Sequence, residues 1–140
     1  MKLPLPPDVE FHEDICLLIH RPRGVLNSAA INKIISLIQE LEFTLKKPFN
    51  RFLDTVAADA VDLSLEYIRR VSLYRLRFYG NRPAIKTAIL ATNSTMADYG
   101  HLHASLTEGS PINVRVFQDP KEAAQWLGVP VERLVEKDHS

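Results

Sequence analysis

One strand-to-helix connection carries several side chains that could do chemistry: Asp54, Asp59, Asp62 and Ser64. Open α/β sheets usually bind ligands at the C-terminal ends of their strands, where these side chains are expected. Carboxylates there could act as an acid–base pair if an apolar pocket separated their pKa values. Asp is also a common turn former, because its carboxylate bonds nearby backbone N–H groups. We interpret Asp54 and Asp62 mainly as turn formers, and we predict that the segment is an interaction or ligand loop.

Ser64 stands where the next helix is expected to begin. The first turn of a helix presents free N–H groups and the positive end of the dipole, which stabilise a phosphate group. Ser64 is therefore a candidate phosphoacceptor. A serine at this position also caps the helix with its side-chain oxygen, and that role explains the residue without any modification. We favour the cap and keep phosphorylation as the alternative.

A basic stretch without any acid follows in the same helix and the loop after it. Its members are Arg69, Arg70, Arg75, Arg77, Arg82 and Lys86. Arg70 and Arg77 lie roughly 20° apart around a helix. The simplest interpretation is a solvated helix face, on which the arginine stems also cover apolar surface. The alternative is a set of anion contacts made by Arg69, Arg70 and Arg77, or a surface for an acidic partner.

Two histidines and one cysteine give no metal or redox motif. His101 and His103 are two residues apart on a predicted helix, so their side chains point about 200° away from each other. They cannot share one ion, and we predict no metal site and no cofactor. One of the two histidines could still line a pocket. Cys16 is the single cysteine, and its apolar neighbours predict a buried, unreactive thiol.

No complete catalytic motif is present. The chain has no G-x-S-x-G, no phosphate-binding glycine loop and no histidine–carboxylate motif. We therefore predict a protein that is not an enzyme.

The composition is that of one ordinary globular domain. The chain has 140 residues, of which 46% are hydrophobic and 24% charged, and its acids and bases balance. A net charge of zero gives no overall electrostatic attraction to nucleic acid or to an anionic membrane, so we predict no nucleic-acid partner. No apolar stretch approaches the ~20 residues of a membrane span. The N-terminus has no signal-peptide core, and the expected compartment is the cytoplasm.

The periodicity of the apolar residues predicts strands that alternate with helices. Predicted strands cover residues 9–12, 15–21, 51–57, 85–92 and 112–117. Predicted helices cover residues 28–45, 64–79, 95–108 and 120–128. The order β-β-α-β-α-β-α-β-α requires crossover connections, and so predicts a mixed, mostly parallel five-stranded sheet in a two-layer or three-layer α/β domain. We expect an extended arm at residues 1–8, the domain at 9–130 and a C-terminal tail at 131–140.

Two segments resemble a known family. Gly24-Val25-Leu26-Asn27 resembles the G-x-L-polar turn that leads into the first helix of STAS domains. Residues 52–65 resemble their strand, loop and helix start, in which one Asp ends the strand and another precedes the capping serines. The likeness is closer to the SpoIIAA-like group of small bacterial proteins, also described as STAS/Sec14-like, over residues 9–128. The resemblance implies a STAS-like fold, and this group has no established common activity.

The resemblance also implies a regulatory role. The anti-sigma-factor antagonists among STAS domains carry Asp-Ser-Ser-Gly in this loop, and a kinase phosphorylates the second serine. Ser64 falls on that position, whereas Leu63 and Leu65 replace the first serine and the glycine. The first hypothesis is therefore a regulatory or protein-interaction module that acts through the loop and helix around residues 59–80. We expect an unidentified protein partner and leave a homodimer open.

The alternative hypothesis is a carrier or sensor of a small apolar or lipid-like ligand in a Sec14-like pocket. It requires a closed apolar cavity of roughly several hundred Å³ between the helices and the sheet. The interaction module instead predicts an exposed apolar patch beside the loop from Asp59 to Ser64.

Overall fold

Alternating strands and helices place one mixed sheet between two helical layers. The computed structural model describes residues 4–80 and 82–135. The strands in these residues are β1 (Val9–His12), β2 (Leu17–His20), β3 (Gly24–Asn27), β4 (Asn50–Asp54), β5 (Ala58–Asp62), β6 (Ile85–Leu90) and β7 (Ile112–Phe117). The helices are α1 (Ser28–Leu45), α2 (Leu65–Phe78), α3 (Ser94–Leu106), α4 (Pro120–Leu127) and a 3-10 turn (Val131–Arg133). Parts of the predicted arm and tail, residues 1–3 and 136–140, lie outside the described residues.

Five of these strands form the main sheet, in the order β1-β2-β4-β6-β7. β1 pairs with β2 antiparallel, and every other neighbouring pair is parallel. This is the predicted mixed and mostly parallel sheet. Leu17 and Ile19 of β2 pack into one core cluster and Leu18 into another, and all three are buried. The continuous apolar run of β2 therefore faces a helical layer on each side, as its pattern predicts.

Helices cover both faces of the main sheet. On one face, Leu127 of α4 packs in the cluster that contains Leu17. On the other face, Ile38 of α1 packs with Leu18, and Met96 of α3 packs with Ile89 of β6. The domain therefore has three layers, with α1, α2 and α3 on the same side of the sheet. Within the described residues, no helix combines the length and the apolar character that a membrane span requires.

A second, two-stranded sheet is absent from the sequence prediction. β3 and β5 pair in parallel, with Leu26 opposite Val61 and Asn27 opposite Asp62. The sequence instead predicts a turn at residues 24–27 and a strand from 51 to 57, whereas β4 ends at Asp54. Among residues 4–80 and 82–135, each of these two strands pairs only with the other, across the intervening α1 and β4. No local sequence pattern predicts this strand pair, because its stability comes from contacts between residues that are distant in the sequence.

Short polar side chains start the four helices. The side chains of Asn27, Ser64, Asn93 and Asp119 each accept a hydrogen bond from a backbone N–H two or three residues later. These bonds satisfy donors that the first helical turn leaves unpaired. The predicted cap at Ser64 is observed.

Cys16 lies in the turn before β2 and not within the strand. Its backbone has a φ of 53°, and its thiol is partly buried, with Sγ 3.6 Å from the carbonyl oxygen of Pro48. The prediction of a buried side chain is therefore wrong, because the apolar run begins at Ile15, two residues before the strand itself.

The end of α1 provides a test of this backbone description. Lys46 is exposed, has a φ of 57° and donates its N–H to the carbonyl of Glu42 at 2.8 Å. We expect Lys46→Gly to raise the free energy of unfolding by about 0.5–1 kcal/mol, because the relief of left-handed strain exceeds the added entropy of the unfolded chain. Urea unfolding measures the change. Lys47→Gly is the control, and it should lower stability because Lys47 has no positive φ; an equal effect of the two changes would contradict the assignment.

Candidate functional site

A cavity of about 140 Å³, partly open to solvent, lies between the main sheet and the helices α1, α2 and α3. Apolar side chains form most of its wall. They include Leu18 and Ile89 of the sheet, Ile34 and Ile38 of α1, Ile68 and Val71 of α2, and Met96 of α3. Native interiors contain few voids larger than a water molecule. An apolar space of this size is therefore the first candidate for a binding site in this fold.

Gly100 brings α3 close to the sheet at one wall of the cavity. A Cβ atom at this position would lie 2.8 Å from Cγ2 of Val116 and 3.5 Å from Cδ1 of Ile89. A side chain would push the helix away from β6 and β7. Because Gly100 has no side chain, α3 can lie close to the sheet.

Polar side chains interrupt the apolar wall at eight described positions: His20, Arg51, Thr55, Tyr67, Arg75, Thr87, Tyr99 and His103. Among them, Arg51, Arg75, Thr87 and His103 come from four different elements. Arg51 of β4 and Thr87 of β6 are opposite each other in the parallel register, so they project to the same face of the sheet. Both are buried, at 4% and 7% exposure. Arg75 reaches the cavity from α2 and His103 from α3. Four elements thus bring polar groups to one otherwise apolar space.

Glu42 of α1 anchors the Arg51 end of the cavity. Its Oε1 accepts hydrogen bonds from Nη2 of Arg51 at 3.3 Å and from the hydroxyl of Tyr79 at 2.6 Å. Its Oε2 lies 3.6 Å from Nη1 of Arg82. The rings of Phe49 and Tyr79 also lie about 5.5 and 5.4 Å from the Arg51 guanidinium. These contacts fix the position of Arg51, because each restricts the guanidinium from a different side.

The guanidinium of Arg75 has fewer hydrogen-bond and ion-pair partners than that of Arg51. No described acidic side chain forms an ion pair with it, and its Nε and Nη1 atoms are buried without a hydrogen-bond partner in the described part of the chain. The side chain retains some accessible surface, and it forms part of the cavity wall. Burial, and then the neighbouring charge of Arg51, lowers the pKa of Arg75 to about 10. Arg75 therefore still carries its positive charge at neutral pH.

His103 is held in its neutral form beside Arg75. Burial, followed by the positive charge of Arg75, lowers the pKa of His103 to about 3. Its Nδ1 lies 3.2 Å from Oγ of Ser72, which donates a hydrogen bond to the carbonyl of Ile68 at 2.8 Å. His101 is exposed, so only the second of the two helix α3 histidines reaches the cavity. In the described chain, no three His, Cys, Asp or Glu side chains lie close enough to hold one metal ion.

The loop residues singled out from the sequence lie outside this cavity. Asp54 accepts hydrogen bonds from Nη1 of Arg21 at 3.1 Å and from the N–H of Val56 at 3.0 Å, so it shapes the turn after β4. Asp59 and Asp62 are exposed on β5. Ser64 is exposed and caps α2.

The predicted anion contacts Arg69, Arg70 and Arg77 are exposed on the outer side of α2. Arg70 pairs with Glu66 at 3.1 Å, the i,i+4 contact of a solvated helix face. The prediction of a solvated position is wrong for Arg75, whose side chain belongs to the cavity wall. One signal for this was present in the sequence: Arg75 lies seven residues after Ile68 and therefore falls on the apolar stripe of the helix.

The buried histidine predicts a pH dependence of stability. The unfolded chain binds a proton at His103 near the ordinary pKa of 6.5, whereas the folded chain does so only near 3. The unfolded state binds more protons between these values, so stability falls as the pH drops from 6.5 toward 3. We expect His103→Gln to remove about 2 kcal/mol of the difference in unfolding free energy between pH 7.5 and pH 5, measured by urea unfolding.

His101→Gln is the matched control on the same helix, and it should leave the difference between the two pH values unchanged. A smaller slope remains in His103→Gln, because burial also lowers the pKa of His20. Equal slopes in His103→Gln and the unchanged protein would contradict the assignment of a neutral, buried His103.

Comparison with known proteins identifies the fold. No protein-family model matches the chain, and no curated protein matches it. Among solved structures, the chain is similar to an uncharacterized protein of the DUF3478 family with a SpoIIAA-like fold, from Shewanella loihica PV-4. The TM-score is 0.57 and the sequence identity 18%, over 91% of this chain and 98% of that chain. The chain therefore has a SpoIIAA-like α/β fold, as its resemblance to that group predicts.

Proposed function

We propose that the protein is a carrier or sensor of a small, largely apolar ligand, which binds in the cavity between the main sheet and α1, α2 and α3. The observation that carries this proposal is the cavity itself, with about 140 Å³ of space inside a mostly apolar wall. The side chains that line this space lack packing partners on one side. A ligand that fills the space would supply those contacts, which supports a binding role.

The volume also limits the ligand. A cavity of about 150 Å³ in another protein holds one benzene molecule. The space here suits one aromatic ring or a short branched chain. It is smaller and more open than the closed cavity of several hundred Å³ that the lipid-carrier hypothesis requires, so a whole lipid is not proposed. The proposed ligand is therefore a small organic molecule. The proposed compartment is the cytoplasm.

Toluene provides a neutral probe of this proposal. We expect it to shift the methyl resonance of Met96 and to raise the free energy of unfolding by about 1.4 kcal/mol at tenfold excess over its dissociation constant. Val71→Phe should fill the cavity and abolish both effects, because Val71 belongs to its wall. NMR titration and thermal unfolding provide the measurements.

Leu73→Phe is the matched control on the same helix, since Leu73 is 51% exposed and lies outside the cavity wall. It should bind toluene as the unchanged protein does. Unshifted Met96 resonances at saturating toluene would overturn the proposal, and so would equal binding by Val71→Phe.

We infer a second candidate function, a regulatory interaction through the loop and helix around residues 59–80. Leu65, Arg69 and Leu73 follow one another at intervals of four residues on the outer side of α2, and Leu65 is 49% exposed. Arg70 and Arg77 flank this stripe. Exposed leucines among arginines suit a partner segment that is apolar and acidic. Ser64, at the start of the helix, stays the candidate phosphoacceptor, and Asp59 and Asp62 lie on the neighbouring strand.

Photo-crosslinking in the native cells tests this second function. We expect benzoylphenylalanine at position 73 to crosslink to an acidic segment of another protein, and Arg69→Glu to reduce the yield about fivefold or more through charge repulsion. Position 43 is the control, because Phe43 is 82% exposed on a different helix. Equal crosslinking at both positions, or crosslinks only to a second copy of this chain, would contradict the proposal.

A further inference from the structure

The cavity wall contains more buried hydrogen-bond donors than the protein satisfies. Nε and Nη1 of Arg51, Nε and Nη1 of Arg75, and Oγ1 of Thr87 are buried without a partner among the described residues. All three residues belong to the wall of the same cavity. Leaving a buried charged donor unpaired is costly, and nearly all buried polar groups in native proteins find a partner. Five unsatisfied atoms in one place indicate that a partner is supplied from outside the chain.

The charges around the cavity are also unbalanced. Arg51 and Arg75 carry two positive charges in the wall, whereas Glu42 carries the nearby negative charge. Glu42 is already shared among Arg51, Arg82 and the Tyr79 hydroxyl. His103 adds no charge at neutral pH, because its pKa is lowered to about 3. The wall therefore holds one buried positive charge, on Arg75, that forms no ion pair with a described acid, although Glu42 attracts it over a longer distance.

An anion with a single charge and an apolar body matches this arrangement. A guanidinium binds carboxylates through paired N–H donors, and such charge-assisted hydrogen bonds are stronger than neutral ones. A surplus of one charge suits a monocarboxylate better than a doubly charged phosphate ester, since the second negative charge would be buried without a counterion. The apolar remainder of the cavity excludes a purely inorganic ion as the best occupant.

We propose that the cavity binds a small monocarboxylic acid, with its carboxylate between Arg75, Arg51 and Thr87 and its apolar body among Ile34, Ile68 and Met96. This inference rests on the proposed ligand-binding function and adds the chemical class of the ligand. Arg75 supplies the unneutralised charge, and Arg51 and Thr87 supply further donors from the neighbouring strands β4 and β6. The apolar body is one aromatic ring or a short branched chain of about six non-hydrogen atoms, the size that a cavity of this volume holds.

Phenylacetate and phenylacetamide form a matched pair of probes, because they share their shape and differ in the charge of the head group. We expect NMR titration of the Met96 methyl group to show that phenylacetate binds about tenfold or more tightly than phenylacetamide. In Arg75→Met this preference should disappear, while phenylacetamide continues to bind. Arg77→Met is the control on the same helix, and its exposed position should leave the preference intact.

The outcomes separate the two proposals. Equal affinities for the acid and the amide in the unchanged protein would overturn the monocarboxylate inference and leave the proposed binding function supported. A preference that survives in Arg75→Met would also overturn it, as would inorganic phosphate that displaces phenylacetate at equal concentration. Met96 resonances that respond to neither probe, nor to toluene, would overturn both proposals. Thermal unfolding of Arg75→Met verifies that the variant is folded, which we expect because the change removes an unpaired buried charge.

Discussion

The carboxylate of Glu42 is the contact on which the polar end of the cavity depends. It links α1 to Arg51 of β4, to Tyr79 after α2 and to Arg82 beyond it. A buried carboxylate is tolerated only when such partners replace its water, and a buried guanidinium has the same requirement. The pair therefore holds Arg51 at a fixed place in the sheet. Arg75, one helix away, has no equivalent partner, and the chemistry of the cavity follows from that difference.

The sequence predicts the parts of this structure that depend on local patterns. The apolar run around Leu18 identifies a strand buried on both faces, and the cap at Ser64 identifies the start of α2. The small sheet of β3 and β5 could not be predicted in this way, because Leu26 and Val61 pair across the intervening α1 and β4. The inward direction of Arg75 was missed for another reason: a cluster of arginines suggests a solvated face, and only the helical position of each residue separates the buried one from its neighbours.

Helix α2 has two distinct faces, and this gives the two candidate functions a common basis. Ile68, Val71 and Arg75 face the cavity, whereas Leu65 and Leu73 are exposed on the opposite side. A ligand that occupies the cavity contacts the inner face of the same helix that carries the outer one. The two proposed functions would therefore be connected through α2, because a change in the position of this helix would alter both of its faces.

The cavity also determines how the protein responds to compression. The space measures about 140 Å³, or about 80 mL per mole of protein, and the volume change of unfolding scales with the part of it that solvent leaves empty. Hydrostatic pressure favours the state of smaller volume, so it would destabilise an empty form of the protein more than a filled one. A filled and an empty form of this domain would therefore unfold at different pressures even where their backbones coincide.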